Sequence, residues 1–381
     1  MLALYIHLPW CVRKCPYCDF NSRALRGVLP EDDYLAALLA DLDAALPRIR
    51  MRGVASIFMG GGTPSLFSAR GVKRLLDGIR ARAPLADDVE ITLEANPGAL
   101  EGAGKLADFR AAGVNRLSLG VQSFNDARLA ALGRVHDRGA ALRAAAEAVR
   151  HFERVNLDVM YGLPGQNLAG ALADVETALE FSPAHLSCYQ LTLEANTRFA
   201  ARPPTLLPAA DLCADMGEAI QSRLAAAGFV HYETSAFARP GHCCRHNLNY
   251  WRFGDYLGLG AGAHSKFGRR SGTGARQVVR EARWRRPAAY LRAIAAGRAA
   301  HAAWIVPAEE LPFEFLMNAL RLTEGFAPAL YEARTGLSFA ALLPRLRAAA
   351  SAGLLRVRPD GVAPTARGRR FLNRILIDFL D

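Results

Sequence analysis

Tyr5-Ile-His-Leu-Pro-Trp-Cys-Val-Arg-Lys-Cys-Pro-Tyr-Cys-Asp-Phe-Asn21 is the stretch whose reading decides the fold. A short apolar strand, Leu2–Leu8, runs straight into three cysteines, Cys11, Cys15 and Cys18. Thiolates at this spacing wrap around one soft metal centre. Three of them leave one position of that centre open, which chemistry needs and a purely structural site avoids. Structural zinc takes four ligands, and the only nearby fourth candidate is His7, inside the strand. An iron–sulfur cluster held by three thiolates keeps one iron free for a ligand from outside the protein. Zinc and buried, unligated cysteines stand as the alternatives. Tyr17, between two of the cysteines, either covers the centre or simply packs.

Downstream, apolar runs alternate with helical stretches. Ala55–Met59, Glu90–Glu94, Arg116–Gly120, Asn156–Tyr161 and His185–Gln190 read as further strands. Ala/Leu/Arg-rich segments such as Glu31–Leu46, Ala69–Arg82 and Arg138–Phe152 read as helices. Six such units in series predict an α/β fold whose parallel sheet closes partly into a (βα)6 barrel.

The chemistry of a barrel gathers at the carboxyl ends of its strands. Here those ends carry Gly60-Gly-Gly-Thr-Pro-Ser65, Glu94-Ala-Asn-Pro97, Gly120-Val-Gln122, Asp158 with Tyr161-Gly-Leu-Pro-Gly-Gln166, and Gln190. Glycines without Cβ let backbone approach a ligand, so Gly61, Gly62 and Thr63 suit a small zwitterion. A carboxylate such as Glu94 can hold a ribose hydroxyl pair. Gln122, Arg134 and Asp158 are expected at the same mouth, where an arginine pairs with a ligand carboxylate.

After residue 200 the pattern changes, giving an expected division into 1–200 (the barrel), 201–304 (an extension) and 305–381 (a small helical, winged-helix-like domain). The extension carries His246-Asn-Leu-Asn-Tyr-Trp251, read as a loop over the barrel mouth. A histidine among flat aromatics suits an iron porphyrin; a packed loop is the plainer alternative. Cys243 and Cys244 stand just before it.

The net charge of +11 reads as spread along an Arg- and Ala-rich chain. Nucleic acid is not expected as a partner, and contact with a membrane surface is favoured over it. There is no apolar run long enough to span a bilayer and no signal-peptide pattern. An odd seven cysteines do not form a disulfide framework. The expected setting is cytoplasmic, peripheral at the membrane.

Together, Cys11-x3-Cys15-x2-Cys18 after Tyr5-Ile-His7, Gly60-Gly-Gly-Thr-Pro64, Glu94-Ala-Asn-Pro97 and Tyr161-Gly-Leu-Pro-Gly-Gln166 resemble the radical S-adenosylmethionine (SAM) proteins. More narrowly, the chain resembles the oxygen-independent coproporphyrinogen III oxidase-like family, over nearly its whole length. The oxidases carry an additional cysteine two residues after the third ligand, where this chain has Phe20, and a longer N-terminal arm. His246-Asn-x-x-Tyr-Trp251 is the signature of the family's heme-chaperone branch. The resemblance implies that Cys11, Cys15 and Cys18 hold a [4Fe–4S] cluster and that SAM chelates its unique iron. It implies SAM contacts from Tyr5, Gly61, Gly62, Thr63 and Glu94. Gln122, Arg134 and Asp158 match positions for a second SAM in the oxidases. Heme would be bound, with His246 a candidate contact, and passed to acceptor hemoproteins such as membrane-associated respiratory proteins. The alternative is the oxidase reaction, radical decarboxylation of porphyrinogen propionates.

Overall fold

In the computed structural model the six expected strands form, and each lies beside the next: β1 (Leu2–Leu8), β2 (Val54–Gly61), β3 (Leu85–Ala95), β4 (Arg116–Gln122), β5 (Arg154–Tyr161) and β6 (His185–Gln190). The structure describes residues 2–49, 53–100, 104–272 and 274–380. All five pairings within this series are parallel. The main intervening helices are α1 (Glu31–Ile49), α2 (Ala69–Arg80), α3 (Lys105–Ala111), α4 (Arg138–His151) and α5 (Leu168–Glu180). Ser68, Asp137 and Asn167 cap α2, α4 and α5 by accepting from amides of the first turn. Val72, Leu75, Leu76 and Ile79 of α2 lie at helical spacing and are buried.

The period of two along each strand sorts the side chains. One face is apolar: Leu4 and Ile6 of β1, Ile57 and Met59 of β2, Ile91 and Leu93 of β3, Leu117 and Leu119 of β4, and Leu157 of β5 join the core with the helices. The other face is polar and aromatic: Tyr5 and His7, Ser56 and Phe58, Glu90 and Glu94, Arg116 and Ser118, Asn156 and Asp158, His185 and Tyr189. Its members bond to one another. Asn156 Nδ2 donates to Asp158 (2.7 Å) and to Ser118 Oγ (2.9 Å). His185 Nδ1 donates to Asn156 Oδ1 (2.6 Å), and the Tyr232 hydroxyl donates to His185 Nε2 (2.8 Å). A polar interior is affordable because its buried groups find partners.

Four residues beyond the barrel series, Tyr256–Leu259, form a seventh parallel strand, β7, on the far side of β1, with Gly258 opposite Tyr5. Residues His264–Arg270, Arg276–Ala282 and Ala302–Ile305 continue from β7 as antiparallel strands. Ala236–Ala238 and Val230–Glu233 extend the opposite edge beyond β6. The result is a twelve-stranded sheet whose two edge strands do not pair, so the barrel is partial. None of these six added strands is expected from the sequence.

The extension also contains α6 (Ala210–Ala226) and α7 (Arg245–Trp251). The His246-Asn-Leu-Asn-Tyr-Trp251 segment is therefore a helix, not a loop. Asn and aromatic residues are poor helix formers, so the environment imposes the conformation: Glu90 Oε1 accepts the His246 amide (3.1 Å). A second core joins Phe253 and Val278 to Val306, Phe315, Leu320, Leu346, Val362, Ile375 and Phe379. It includes the hairpin Leu355–Arg358 with Gly361–Pro364, as the Pro359-Asp-Gly361 turn suggests. No helix among the described residues is long and apolar enough to cross a membrane.

Candidate functional site

The loop after β1 drops Cys11, Cys15 and Cys18 onto the wall of a cavity of about 400 Å³ at the carboxyl ends of the strands. Tyr17, Gly61, Gly62, Thr63, Glu94, Gln122, Arg134, Asp158 and Gln190 line the same cavity. Twelve of the fourteen residues singled out from the sequence thus converge. Tyr5 and His246 do not line it.

All seven cysteines are free thiols. Burial raises the pKa of Cys11, while hydrogen bonds from Thr63 and Ser22 oppose the rise. Arg134 Nη1 donates to Cys15 Sγ at 3.5 Å and Nη2 to the Gly120 carbonyl at 2.7 Å, so a fixed cation faces one thiol. The hydrogen bonds from Thr63 and Ser22 act toward the Cys11 thiolate, the form that ligates iron, against the burial that outweighs them. His7 is no fourth ligand. Its Nε2 donates to the Asn21 carbonyl (3.0 Å), leaving Nδ1 to accept from the Tyr5 hydroxyl (3.0 Å). Among the described residues no three His, Cys, Asp or Glu side chains close around a single ion.

Two carboxylates face the cavity floor. Burial, then the nearby Asp158, pushes Glu94 up to about 7. Asp158 is itself pushed up to about 6 by burial, against the hydrogen bond from Asn156. Glu94 Oε2 accepts the Gly61 amide at 3.1 Å. A pair of partly neutral carboxyls beside one guanidinium suits hydroxyls and a cationic ligand group. Gln122 sits at φ 71, a left-handed conformation held by the Tyr189 hydroxyl on its Oε1 (2.6 Å).

The glycine run serves the protein's own packing as much as the cavity. A Cβ on Gly60 would meet Glu94 at 2.9 Å, one on Gly62 the Trp10 carbonyl at 2.6 Å, and one on Gly61 the His7 ring. Gly61 also needs φ +108.

Tyr5 lies behind the wall, between His7 and the Phe58 ring at 6.4 Å. His246 is deeper. Its ring stacks on Phe58 at 5.0 Å and meets Tyr250 edge-on at 5.0 Å. Nδ1 is 3.0 Å from Ser56 Oγ, while Nε2 is buried with no hydrogen-bond partner among the described residues. Burial pushes its pKa down to about 3. Cys244 is also remote from the cavity, its thiol donating to Glu90 at 3.6 Å.

Sequence reasoning passed over Asn96, Ser118 and Tyr189, which line the cavity. Asn96 lies inside the quoted Glu94-Ala-Asn-Pro97 run. Ser118 and Tyr189 share the inward face with Gly120 and Ser187, a signal available from the period of two.

A partial (βα) barrel with three cysteines after its first strand and a glycine-rich turn after its second defines a radical SAM protein. The radical SAM superfamily profile matches residues 5–178, and the profile of the HemN C-terminal domain matches residues 306–371. The chain belongs to the heme chaperone HemW family. It is 49% identical to heme chaperone HemW of Escherichia coli K12, over 100% of this chain and 98% of that one. It is 46% identical to HemW of Haemophilus influenzae, with the same coverage. The mouse mitochondrial radical S-adenosyl methionine domain-containing protein 1 is 45% identical over 70% of this chain and 60% of its own length. Coproporphyrinogen III oxidase HemN of E. coli has a similar structure, with a TM-score of 0.82, 25% identity, and coverage of 99% and 89%.

Proposed function

We propose that this protein binds heme and passes it to acceptor hemoproteins, carrying a [4Fe–4S] cluster and SAM as resident cofactors. The observation that carries the reading is full-length similarity to the HemW chaperones. Cys11, Cys15 and Cys18 would hold the cluster; their softness, number and neighbours suit it. When bound, the cluster supplies an electron and a coordination site for the amino and carboxylate groups of SAM.

The chain's own residues do the rest. Gly61, Gly62 and Thr63 present backbone and hydroxyl to SAM. Glu94 receives ribose hydroxyls, and Tyr5 supports it from behind. Arg134 holds Cys15 by its hydrogen bond and, with Gln122, Asp158 and Gln190, closes the far wall. Tyr17 shields the cluster from water. His246 braces β2 and Tyr5 beneath the site. The acceptors are membrane-associated respiratory hemoproteins, and the protein works in the cytoplasm against the membrane.

The test is a pair of anaerobic assays on reconstituted protein. One follows heme binding by its Soret band and transfer to an apo-hemoprotein; the other follows protoporphyrinogen formation from coproporphyrinogen. Heme binding and transfer without decarboxylation is expected. Sustained protoporphyrinogen formation would overturn the reading in favour of the oxidase.

A further inference from the structure

The positive charge is not spread evenly. From Arg345 to Arg374 the chain holds eight arginines and one acidic residue, Asp360. Seven of the eight are exposed. Arg370 pairs with Glu218 and Arg374 with Asp378. Arg347, Arg356, Arg358 and Arg367 meet no carboxylate among the described residues. Burial and the neighbouring Arg356 lower the pKa of Arg369, so like charges crowd together here.

Beside these cations the last helix, Leu372–Ile377, is apolar on two sides. Ile375, Leu376 and Phe379 enter the second core. Phe371, Ile377 and Leu380 face outward, 51%, 55% and 60% exposed. Arg374 and Ile377, three apart in this helix, are neighbours on its surface, and Phe371 and Leu380 stand just outside its two ends. Beside Phe371 and Arg374 runs a groove of about 440 Å³ floored by Ala349, Ala352 and Leu354 and edged by Arg367, Phe371, Arg374 and Asp378.

We propose that this face docks on an anionic phospholipid surface, the arginines at the headgroups and Phe371, Ile377 and Leu380 in the interfacial layer. Phosphates of a nucleic acid would also satisfy the arginines. They would leave Ile377 and Leu380 in water, whereas a bilayer covers them. The inference rests on the peripheral membrane reading above and names the surface responsible; it is independent of heme.

The test sediments the full chain with vesicles of phosphatidylcholine and phosphatidylglycerol, and with pure phosphatidylcholine. Wild type is expected to bind the first and not the second, releasing at high salt. The double variant Arg356→Ala/Arg358→Ala should bind about thirtyfold more weakly. The triple variant Phe371→Ser/Ile377→Ser/Leu380→Ser should bind at least about tenfold more weakly. All five positions are exposed, so wild-type melting temperatures check the fold. If wild type ignores anionic vesicles, the membrane reading itself fails. If wild type binds and both variants bind equally well, the assigned face is wrong. Binding to a duplex oligonucleotide that survives the triple substitution would assign the arginines to nucleic acid instead.

Discussion

Replacing Glu90 by alanine should be among the most damaging changes remote from the cavity. Glu90 is fully buried, and its Oε2 lies 3.3 Å from Nη1 of the equally buried Arg116. Its Oε1 accepts the His246 amide at 3.1 Å and so ties α7 to the barrel. Once the carboxylate is gone, Arg116 keeps only the His242 carbonyl among the described residues, 3.1 Å from both Nη atoms. Breaking a buried pair from one side costs roughly 3–5 kcal/mol, because the remaining charge stays in low dielectric. Total stability is about 5–15 kcal/mol, so Glu90→Ala removes a large share of it. Glu90→Leu combined with Arg116→Met removes both charges. It should be less destabilised than Glu90→Ala: it loses hydrogen bonds to the His246 amide, the Cys244 thiol and the His242 carbonyl, at about 1 kcal/mol each, but leaves no buried charge unpaired. Urea unfolding followed by circular dichroism reads both values. A Glu90→Ala midpoint indistinguishable from wild type would refute the argument. So would a double variant at least as unstable as Glu90→Ala, since it would show that the cost is not an uncompensated charge.

Alanine at Cys11, Cys15 or Cys18 should cut iron and sulfide after anaerobic reconstitution from about four each per chain to near zero; retention of the full complement would remove that residue from the ligand set. Glu94 is raised from 4.5 to about 7, so its contribution to stability is present below pH 4.5 and lost as pH climbs through 7. Cofactor-free protein should therefore lose on the order of 2 kcal/mol between pH 5 and 8 from this group, and Glu94→Gln should flatten the dependence; an unchanged slope in the variant would contradict the assignment. His246 stays neutral and enclosed, so His246→Leu should leave the Soret band of the heme complex intact. Disappearance of that band would mean that the imidazole reaches iron.

The barrel was legible because its strands bind neighbours in chain order and each ends on a short polar or glycine-bearing signal. The alternation within β1, from Leu4 and Ile6 outward to Tyr5 and His7 inward, carries both the core and the interior. The seventh strand was not legible, since Tyr256-Leu-Gly-Leu259 is too short to show a period and its partner lies far away in sequence. The α7 helix was hidden for a related reason: Glu90 and Phe58, not local propensity, hold it. The triple glycine showed where close approach occurs, but not that Glu94, His7 and Trp10 are what approaches.

The pairing of Tyr5 with Gly258 carries a consequence for biosynthesis. The strand leading into Cys11, Cys15 and Cys18 is among the first segments made, yet one of its two neighbours is among the later ones. Translation at about 5–20 residues per second separates the two by roughly ten to fifty seconds. Throughout that interval β1 has an open hydrogen-bonding edge, and the cysteine loop lacks the support that Ala261 gives Asn21 at 2.9 Å. Nascent chains therefore pass through a window in which the three thiols are made but not yet enclosed. Enclosure of the three thiols is therefore completed only once the extension has folded.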